Sequence, residues 1–394
     1  MKTFVAIKQA LLFVLASIIV SFPAVSSEKS KKEKQAVKEL QQIMTQTEAV
    51  GLAVAVVKDG KIIFVKSIGK KNIEKDIDLG KKDIFRIASI SKSFTTTALM
   101  QLVEKGKLKI DQDVSELIGF KVRNPKYPDI PITVKMLLSH TSSLCDSAGY
   151  FKLDVVNPSI TADYVKAYHY YAPGAQYDYC NLGFNMLGSL VEKLSGVRFD
   201  NYVHDNVIKP LGLYANHNVD SLDATRFATI YTKDATKKYV AQPDAYLSKT
   251  AEIASGYVIG YSTPLFSPTG GMKISAMDLA RYMIMHMNYG TSGSVRIISE
   301  ASSRLMQTPI VVVNEWTKYC MSLLHTTNLI PGEIMVGHTG SAYGVYSAMF
   351  FEPNKKFGFV MITNGCVPTY KNGFTVIQGD VIRAMYKIFV QEQK

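Results

Sequence analysis

Runs of apolar, β-branched residues mark strands at both ends of the chain. Gly51 to Val57 and Ile62 to Ile68 are two such runs, and the turn-forming Lys58-Asp59-Gly60 lies between them. We predict a β-hairpin over these residues. Similar runs return late in the chain, and they predict strands at Ile334 to His338, Tyr346 to Glu352 and Phe357 to Thr363.

The middle of the chain has apolar residues at helical spacing. Ser89 to Lys105 is predicted to form a helix, and a second helix follows Asn181 with its apolar residues on one face. A glycine follows each of these segments, as is typical of helix C-termini. The rest of residues 107–330 predicts mostly helix and loop, and a final amphipathic helix covers Val376 to Gln391.

Strands at both chain ends around a helical middle predict an α+β fold. We expect an antiparallel sheet built from both chain ends and flanked by helices, with a large, mostly helical lobe inserted. Residues 37–394 contain no Pro/Gly/Ser-rich linker and no internal repeat, so we predict that they form one domain. A binding site is expected in the cleft between the sheet and the lobe.

The N-terminus has the pattern of a secretory signal peptide. Lys2 and Lys8 precede an apolar segment at residues 10–20, and a small-x-small cleavage pattern occupies residues 24–26. The apolar segment is shorter than the ~20 residues that span a membrane. We therefore predict a signal peptide at 1–26 and export to the periplasm or extracellular space, without a stable membrane span after signal removal.

Composition and charge narrow the possible functions. The chain has 394 residues, 47% of them hydrophobic and 20% charged, which is typical of a globular protein. Its net charge of +12 is spread along the chain, except for a Lys-rich segment at 27–36 that we interpret as a tether. Because no nucleic-acid-binding motif accompanies this charge, we predict no nucleic-acid partner.

The four cysteines fit no metal-ligand spacing. Since export would place them in an oxidising compartment, disulfides are possible there, and four cysteines allow three pairings. The sequence leaves the pairing open. These residues are Cys145, Cys180, Cys320 and Cys366.

Ser89-Ile90-Ser91-Lys92 is the sharpest local motif for catalysis. Residues three apart share a helix face, so the Lys92 amine is expected to reach the Ser89 hydroxyl. Serine becomes a good nucleophile when a neighbouring base removes its proton, and a lysine of lowered pKa is such a base. The spacing alone is weak, because Ser26/Lys29 and Ser67/Lys70 share it.

Two further segments carry candidate site residues. In Tyr179-Cys180-Asn181, a tyrosine whose pKa is lowered by nearby cations is a candidate base, and the asparagine amide is a candidate holder of a substrate carbonyl. The other segment, His338-Thr339-Gly340-Ser341, ends a β-rich run. A strand edge there directs backbone N–H groups at an oxyanion, and Gly340 allows a substrate backbone to approach closely.

Together these motifs resemble the serine β-lactamase and penicillin-binding protein family, particularly its branch of class C β-lactamases, D,D-carboxypeptidases and related esterases. That family has Ser-x-x-Lys, Tyr-x-Asn and Lys/His-Thr-Gly in this order. The resemblance spans about residues 35–394. Neighbouring segments are also similar, at Phe85 to Ala88, Leu138 to Leu144, Pro173-Gly174, Gly270 to Met272 and Asp278 to Ala280.

The resemblance implies a role for each motif residue. Ser89 would be acylated, and Lys92 would help to deprotonate it. Tyr179 would act as a base toward the serine and as an acid toward the leaving group, while Asn181 would bind the substrate carbonyl. The resemblance also implies an oxyanion hole formed by the backbone N–H groups of Ser89 and Ser341.

His338 and Thr339 would shape the substrate wall. His338 stands where the β-lactamases usually have lysine, and an unperturbed histidine titrates near ~6.5. The sequence around it offers no arginine as a clamp for a substrate carboxylate. If His338 binds such a carboxylate, KM is expected to rise as the pH passes the pKa of the histidine.

We therefore interpret the chain as an exported serine hydrolase with no metal or organic cofactor. Its expected partner is a small-molecule or peptide substrate: a D-amino-acid peptide, including cell-wall peptide, a β-lactam or a small ester. The alternative is a catalytically weak penicillin-binding or sensory protein that retains the fold. The oligomeric state is left open.

Overall fold

The computed structural model describes residues 22–391, with side chains described for 28–391. The ten helices of this part are α1 Phe22–Gln46, α2 Ser91–Glu104, α3 Val114–Ile118, α4 Val134–Leu138, α5 Asn181–Ser195, α6 Phe199–Val203, α7 Thr250–Ala254, α8 Ala276–Met287, α9 Glu300–Gln307 and α10 Val376–Phe389. Its strands are β1 Gly51–Lys58, β2 Lys61–Asn72, β3 Ile77–Asp78, β4 Phe85–Arg86, β5 Ala215–Asn216, β6 Tyr231–Lys233, β7 Tyr239–Ala241, β8 Lys273–Ile274, β9 Thr291–Ser292, β10 Val295–Arg296, β11 Val311–Asn314, β12 Thr317–Tyr319, β13 Leu324–Thr326, β14 Met335–Ala342, β15 Val345–Glu352, β16 Phe357–Thr363, β17 Tyr370–Lys371 and β18 Phe374–Thr375.

Nine strands form one antiparallel sheet in the order β11-β12-β13-β14-β15-β16-β1-β2-β3. The β1–β2 hairpin turns through Asp59 and Gly60, both at positive φ, as a tight turn between twisted strands requires. Since strands from both chain ends meet where β16 pairs with β1, the predicted α+β fold is confirmed. The prediction of mostly helix and loop for residues 107–330 missed β11, β12 and β13, which extend the sheet.

The sheet separates two hydrophobic cores. Alternate side chains of β1 point to opposite faces. Ala53, Ala55 and Val57 pack in the core shared with the helical lobe, including α2 and α8. Leu52, Val54 and Val56 pack in the core covered by α1 and α10. The three sequence motifs lie on the lobe side, where the lobe meets β14.

The Lys-rich segment 27–36 is helical, which differs from the predicted tether. It belongs to α1, whose apolar residues recur at helical spacing and whose Ala36 and Leu40 are fully buried beside the sheet. The lysines therefore lie on a packed helix. Nearly all of the predicted signal peptide, 1–26, is outside the described residues, and its cleavage stays a prediction.

No helix within residues 22–391 is long and apolar enough to cross a membrane. The four cysteines all lie in this part of the chain, and each is buried and unpaired. None of the three conceivable disulfide pairings is formed in this structure. The cores therefore hold the fold without a disulfide.

Candidate active site

Ser89 lies in a tight turn directly before α2. The helix was predicted to begin at Ser89, but residues 88–90 form a 3₁₀ turn and α2 begins at Ser91. Ala88 has φ +49°, a conformation that residues with a side chain seldom adopt. With this strained backbone at Ala88, the turn directs the Ser89 side chain toward the cleft.

Strand β14 approaches this turn closely because it has a glycine at position 340. A Cβ atom on Gly340 would lie 2.2 Å from the Ile87 carbonyl oxygen and 2.3 Å from Ser347 Oγ. Ser347 Oγ donates a hydrogen bond of 2.9 Å to the same carbonyl. Gly340 therefore serves the contact between the strand and the serine turn, rather than the expected approach of a substrate.

Lys92 is fully buried and its amine has three neighbours at hydrogen-bond distance. Lys92 Nζ lies 3.2 Å from Ser89 Oγ, 2.9 Å from Asn181 Oδ1 and 3.0 Å from the Thr269 carbonyl oxygen. The amide and carbonyl oxygens only accept hydrogen bonds. A neutral amine satisfies both with its two N–H groups, and its lone pair is then directed at the Ser89 hydroxyl.

Burial lowers the pKa of Lys92 to about 7, and the nearby Asp146 carboxylate opposes this shift only in part. Much of Lys92 is therefore neutral at physiological pH. The phenyl ring of Tyr179 covers the amine, with its centroid 4.6 Å from Nζ. Lys92 thus has the position and the protonation state of a base for Ser89.

Asp146 caps the N-terminus of α5, because Cys180, the residue before the helix, makes no capping hydrogen bond with its side chain. Its Oδ1 accepts hydrogen bonds of 2.9 Å from the backbone N–H groups of Asn181 and Leu182, and its Oδ2 accepts one of 2.8 Å from Asn181 Nδ2. Asn181 Oδ1 also accepts 2.6 Å from Thr269 Oγ1. The Asn181 amide is therefore fixed, and one of its N–H groups is already engaged.

Tyr179 has a buried hydroxyl without a hydrogen-bond partner among the described residues. Burial raises the pKa of Tyr179, and this outweighs the neighbouring Ser89 hydroxyl, which acts to lower it. The direction is opposite to the lowered pKa expected from the sequence. Tyr179 is therefore protonated at neutral pH, which suits an acid better than a base.

A chain of polar side chains leads to His338. The backbone N–H of Cys180 donates to His140 Nδ1 at 3.1 Å, which places the His140 proton on Nε2, 3.1 Å from Tyr319 Oη. Tyr319 Oη lies 3.3 Å from His338 Nε2, and His338 Nδ1 faces the Thr339 carbonyl oxygen at 2.5 Å. Both ring nitrogens of His338 are thus engaged within the protein.

His338 is neutral in this environment. Burial, and secondarily the Lys92 charge, lower its pKa to about 4. This pKa lies below the ~6.5 of an unperturbed histidine, so the structure favours a KM that does not change as the pH passes that value. The sequence did not reveal how deeply this side chain is buried, so a charge-based role for it is not supported.

The predicted residues surround one cavity of about 700 Å³. Two predicted residues do not line it: Lys92 lies behind Ser89, and Gly340 lies on β14 against the Ile87 carbonyl oxygen. The cavity also contains Arg86, a cation that the sequence search around His338 missed, and Tyr343, whose ring lies 5.1 Å from the Arg86 guanidinium. Of the predicted residues, those that line the cavity are Ser89, Tyr179, Asn181, His338, Thr339 and Ser341.

A family model described as Beta-lactamase matches residues 36–374. The chain belongs to the β-lactamase family. This family includes serine hydrolases of the carboxypeptidase, esterase and β-lactamase types, so the resemblance inferred from the three motifs is confirmed.

Individual relatives are similar over most of the chain. Penicillin-binding protein 4 of Amycolatopsis lactamdurans is 27% identical, over 83% of this chain and 84% of its own. The octameric penicillin-binding protein homologue of Pyrococcus abyssi has a TM-score of 0.71 and 27% identity, over 90% of this chain and 76% of its own. The D-alanine carboxypeptidase AmpC of Burkholderia cenocepacia shares the fold, with a TM-score of 0.68 and 20% identity, over 91% of this chain and 98% of its own.

Several residues of this β-lactamase-family site were not predicted from the sequence. Arg86 lies within a segment that carried the family resemblance, and Thr269 directly precedes another, so the signal was present but unused. Asp146 lies 35 residues before its partner Asn181, and Tyr319 lies 19 residues before its partner His338, so no local sequence motif pointed to either. Within residues 28–391, no group of three or more His, Cys, Asp or Glu side chains is placed to hold a metal ion.

Proposed function

We propose that this chain is an exported serine hydrolase that forms an acyl-enzyme on Ser89 and cleaves an amide or ester. The contact between a buried Lys92 amine of lowered pKa and the Ser89 hydroxyl carries this proposal. The family membership supports the hydrolase class, and the N-terminal sequence pattern supports export.

The proposed reaction uses only side chains and backbone groups of this chain. Lys92 takes the Ser89 proton as Oγ attacks the substrate carbonyl carbon, and the backbone N–H groups of Ser89 and Ser341 stabilise the resulting oxyanion. Tyr179 donates a proton to the leaving group as the scissile bond breaks. Water then hydrolyses the ester on Ser89.

D-amino-acid peptides and esters are favoured over efficient β-lactam turnover. At the position where the β-lactamases of the family usually have a permanent cation, this chain has a neutral His338. Cell-wall peptide is within the proposed substrate class. Export to the periplasm or extracellular space would bring the enzyme to such peptides.

Covalent probes test the proposal directly. The purified protein is incubated with a fluorophosphonate or with a fluorescent penicillin, and the adduct is measured by intact mass and located by peptide mapping. We expect a fluorophosphonate adduct on Ser89 and a slowly released penicilloyl adduct on the same residue. A folded protein that neither probe labels contradicts the proposed function, and rapid penicillin turnover contradicts the substrate preference.

The rate of Ser89 labelling should rise as the pH passes through about 7 and level off above it. Only neutral Lys92 accepts the serine proton, and its pKa is about 7, so the active fraction grows with pH. Initial fluorophosphonate labelling rates between about pH 5 and pH 9 measure this. A flat profile, or a rate that still rises steeply at about pH 9 as for the ~10.4 of an ordinary lysine, would show that a Lys92 amine of lowered pKa is not the base.

Asp146→Asn should move this inflection to lower pH. The Asp146 carboxylate favours the charged form of Lys92, so its removal lowers the pKa of Lys92 further. Asparagine still accepts backbone hydrogen bonds, and we expect a stability loss of only about 1–2 kcal/mol. Labelling profiles and thermal unfolding of the variant provide the two readouts.

Asp113→Asn is the matched control. Asp113 also caps a helix, by accepting from the Ser115 backbone N–H at 2.9 Å, and it pairs with Arg123, but unlike Asp146 it does not act on the pKa of Lys92. This variant should lose stability without moving the inflection. Equal pH profiles for the two variants would mean that Asp146 only stabilises the fold.

A further inference from the structure

A second cavity of about 240 Å³ adjoins the active-site cavity. Arg86, Phe151, Ser267 and Tyr343 line both spaces, so the two are neighbours across these side chains. The smaller space is rich in basic groups, and we call it the basic annex. Its basic residues are Arg86, His217, Lys249 and Lys273.

The small sheet β4-β8-β5 brings the basic groups together. Arg86 on β4 lies directly opposite Lys273 on β8, and Lys273 lies opposite Asn216 on β5. Like charges at directly opposed positions destabilise a sheet. Lys273 is only 4% exposed, and its amine donates to the backbone carbonyl of His217.

His217 adds a buried polar group that the fold does not use. Its side chain is 1% exposed, and neither ring nitrogen has a hydrogen-bond partner among the described residues. Arg86 Nε is likewise buried without a partner in this part of the chain, and Arg86 Nη2 has only a 3.3 Å contact with Ser267 Oγ. Unpaired buried polar groups are costly unless a ligand satisfies them.

The acidic residues near the annex do not balance these cations. Asp220 Oδ2 accepts from the Lys249 backbone N–H at 2.8 Å and from Thr250 Oγ1 at 3.1 Å. Asp244 lines the annex but is exposed. No described carboxylate forms an ion pair with Arg86 or Lys273 within 4.0 Å, and Asp220 and Asp200 act on Lys273 only from farther away.

We propose that the basic annex binds a carboxylate on the acyl part of the substrate. Two basic side chains and an unpartnered imidazole around one small space form a built site for an anion. Burial lowers the pKa values of Arg86 and Lys273, and a bound carboxylate would favour their charged forms.

We assign the annex to the acyl part of the substrate from the position of Tyr179, and this step rests on the proposed function. Tyr179 and His338 line only the larger cavity, whereas the annex opens beyond Arg86 and Tyr343. If Tyr179 protonates the leaving group, the leaving group lies at its end of the cavity. The annex then lies at the other end, where the acyl part remains attached to Ser89.

Two matched esters test this proposal: mono-4-nitrophenyl glutarate, with a free carboxylate on its acyl chain, and its methyl ester, in which that carboxylate is capped. Both release 4-nitrophenolate, so their leaving groups are identical. At constant ionic strength we expect kcat/KM for the carboxylate ester to exceed that of the methyl ester by ~10-fold or more, as for a charge-assisted hydrogen bond.

Lys273→Met should reduce this preference to about 2-fold or less, since it removes an amine whose charged form a bound carboxylate would favour. Lys356→Met is the control, because the half-buried Lys356, like Lys273, donates to a backbone carbonyl, that of Met287 at 2.7 Å, but lines neither cavity. It should leave the preference unchanged. If Lys273→Met does not fold, Arg86→Gln provides the same comparison.

The outcomes separate this proposal from the proposed function. Hydrolysis of the methyl ester as fast as that of the carboxylate ester would overturn the annex as an anion site and leave the hydrolase intact. An unchanged preference for the carboxylate ester in folded Lys273→Met would also overturn the annex as an anion site and leave the hydrolase intact. Failure to hydrolyse either ester, together with an unlabelled Ser89, would instead contradict the proposed function.

Discussion

Ser89→Ala should abolish covalent labelling and reduce ester hydrolysis by a factor on the order of 10⁶, as loss of a nucleophile does in serine hydrolases. The variant retains Lys92 and the oxyanion groups, but they have no hydroxyl to activate. Only residual hydrolysis by water is then expected. Fluorophosphonate labelling and steady-state hydrolysis of 4-nitrophenyl acetate measure the loss.

Ser93→Ala is the matched control on the same helix. Ser93 is buried, and its hydroxyl donates to the Ile90 carbonyl oxygen at 2.8 Å without lining the cavity. Its removal should lower stability by about 1 kcal/mol and leave labelling intact. If Ser89→Ala is still labelled at another serine, Ser89 is not the nucleophile.

The sequence was sufficient to predict the main elements because their patterns are long and regular. The β1–β2 hairpin, α5, α10 and the late strands each have five or more residues with a clear period or a clear turn. By contrast, β11, β12 and β13 have three or four residues each, and β12 and β13 contain Lys318 and His325. Strands this short acquire their stability from neighbours in the sheet, which a local pattern does not reveal.

The site was predicted as far as its residues have a local motif. Ser89, Lys92 and Asn181 were identified by spacing, and the structure brings them within hydrogen-bond distance of one another through Lys92 Nζ. Asp146 was missed because it reaches α5 from a loop 35 residues earlier in the chain. The neutrality of His338 depends on burial by the whole fold, so no local motif indicates it.

Protonation states gave the largest difference between expectation and structure. Lowered pKa values were expected for both Lys92 and Tyr179, but burial lowers the pKa of an amine and raises that of a phenol. Burial in the same site therefore shifts the pKa values of the two groups in opposite directions. Lys92 becomes available as a base, and Tyr179 remains a proton donor.

Tyr179→Phe should therefore reduce turnover most for substrates with poor leaving groups. The phenylalanine ring keeps its place over the Lys92 amine, so serine activation and substrate binding should persist. Loss of the proton donor should lower kcat by ~10²–10⁴-fold for a peptide or an alkyl ester. A 4-nitrophenyl ester should lose much less, because 4-nitrophenolate leaves without a proton.

Tyr214→Phe is the control for this prediction. Tyr214 is also followed two residues later by an asparagine, Asn216, and its hydroxyl accepts from the Asp223 backbone N–H at 2.8 Å outside the active-site cavity. This variant should retain kcat for both kinds of ester. Equal losses on good and poor leaving groups in Tyr179→Phe would show that Tyr179 acts on Ser89 rather than on the leaving group, because a serine base is needed for every substrate alike.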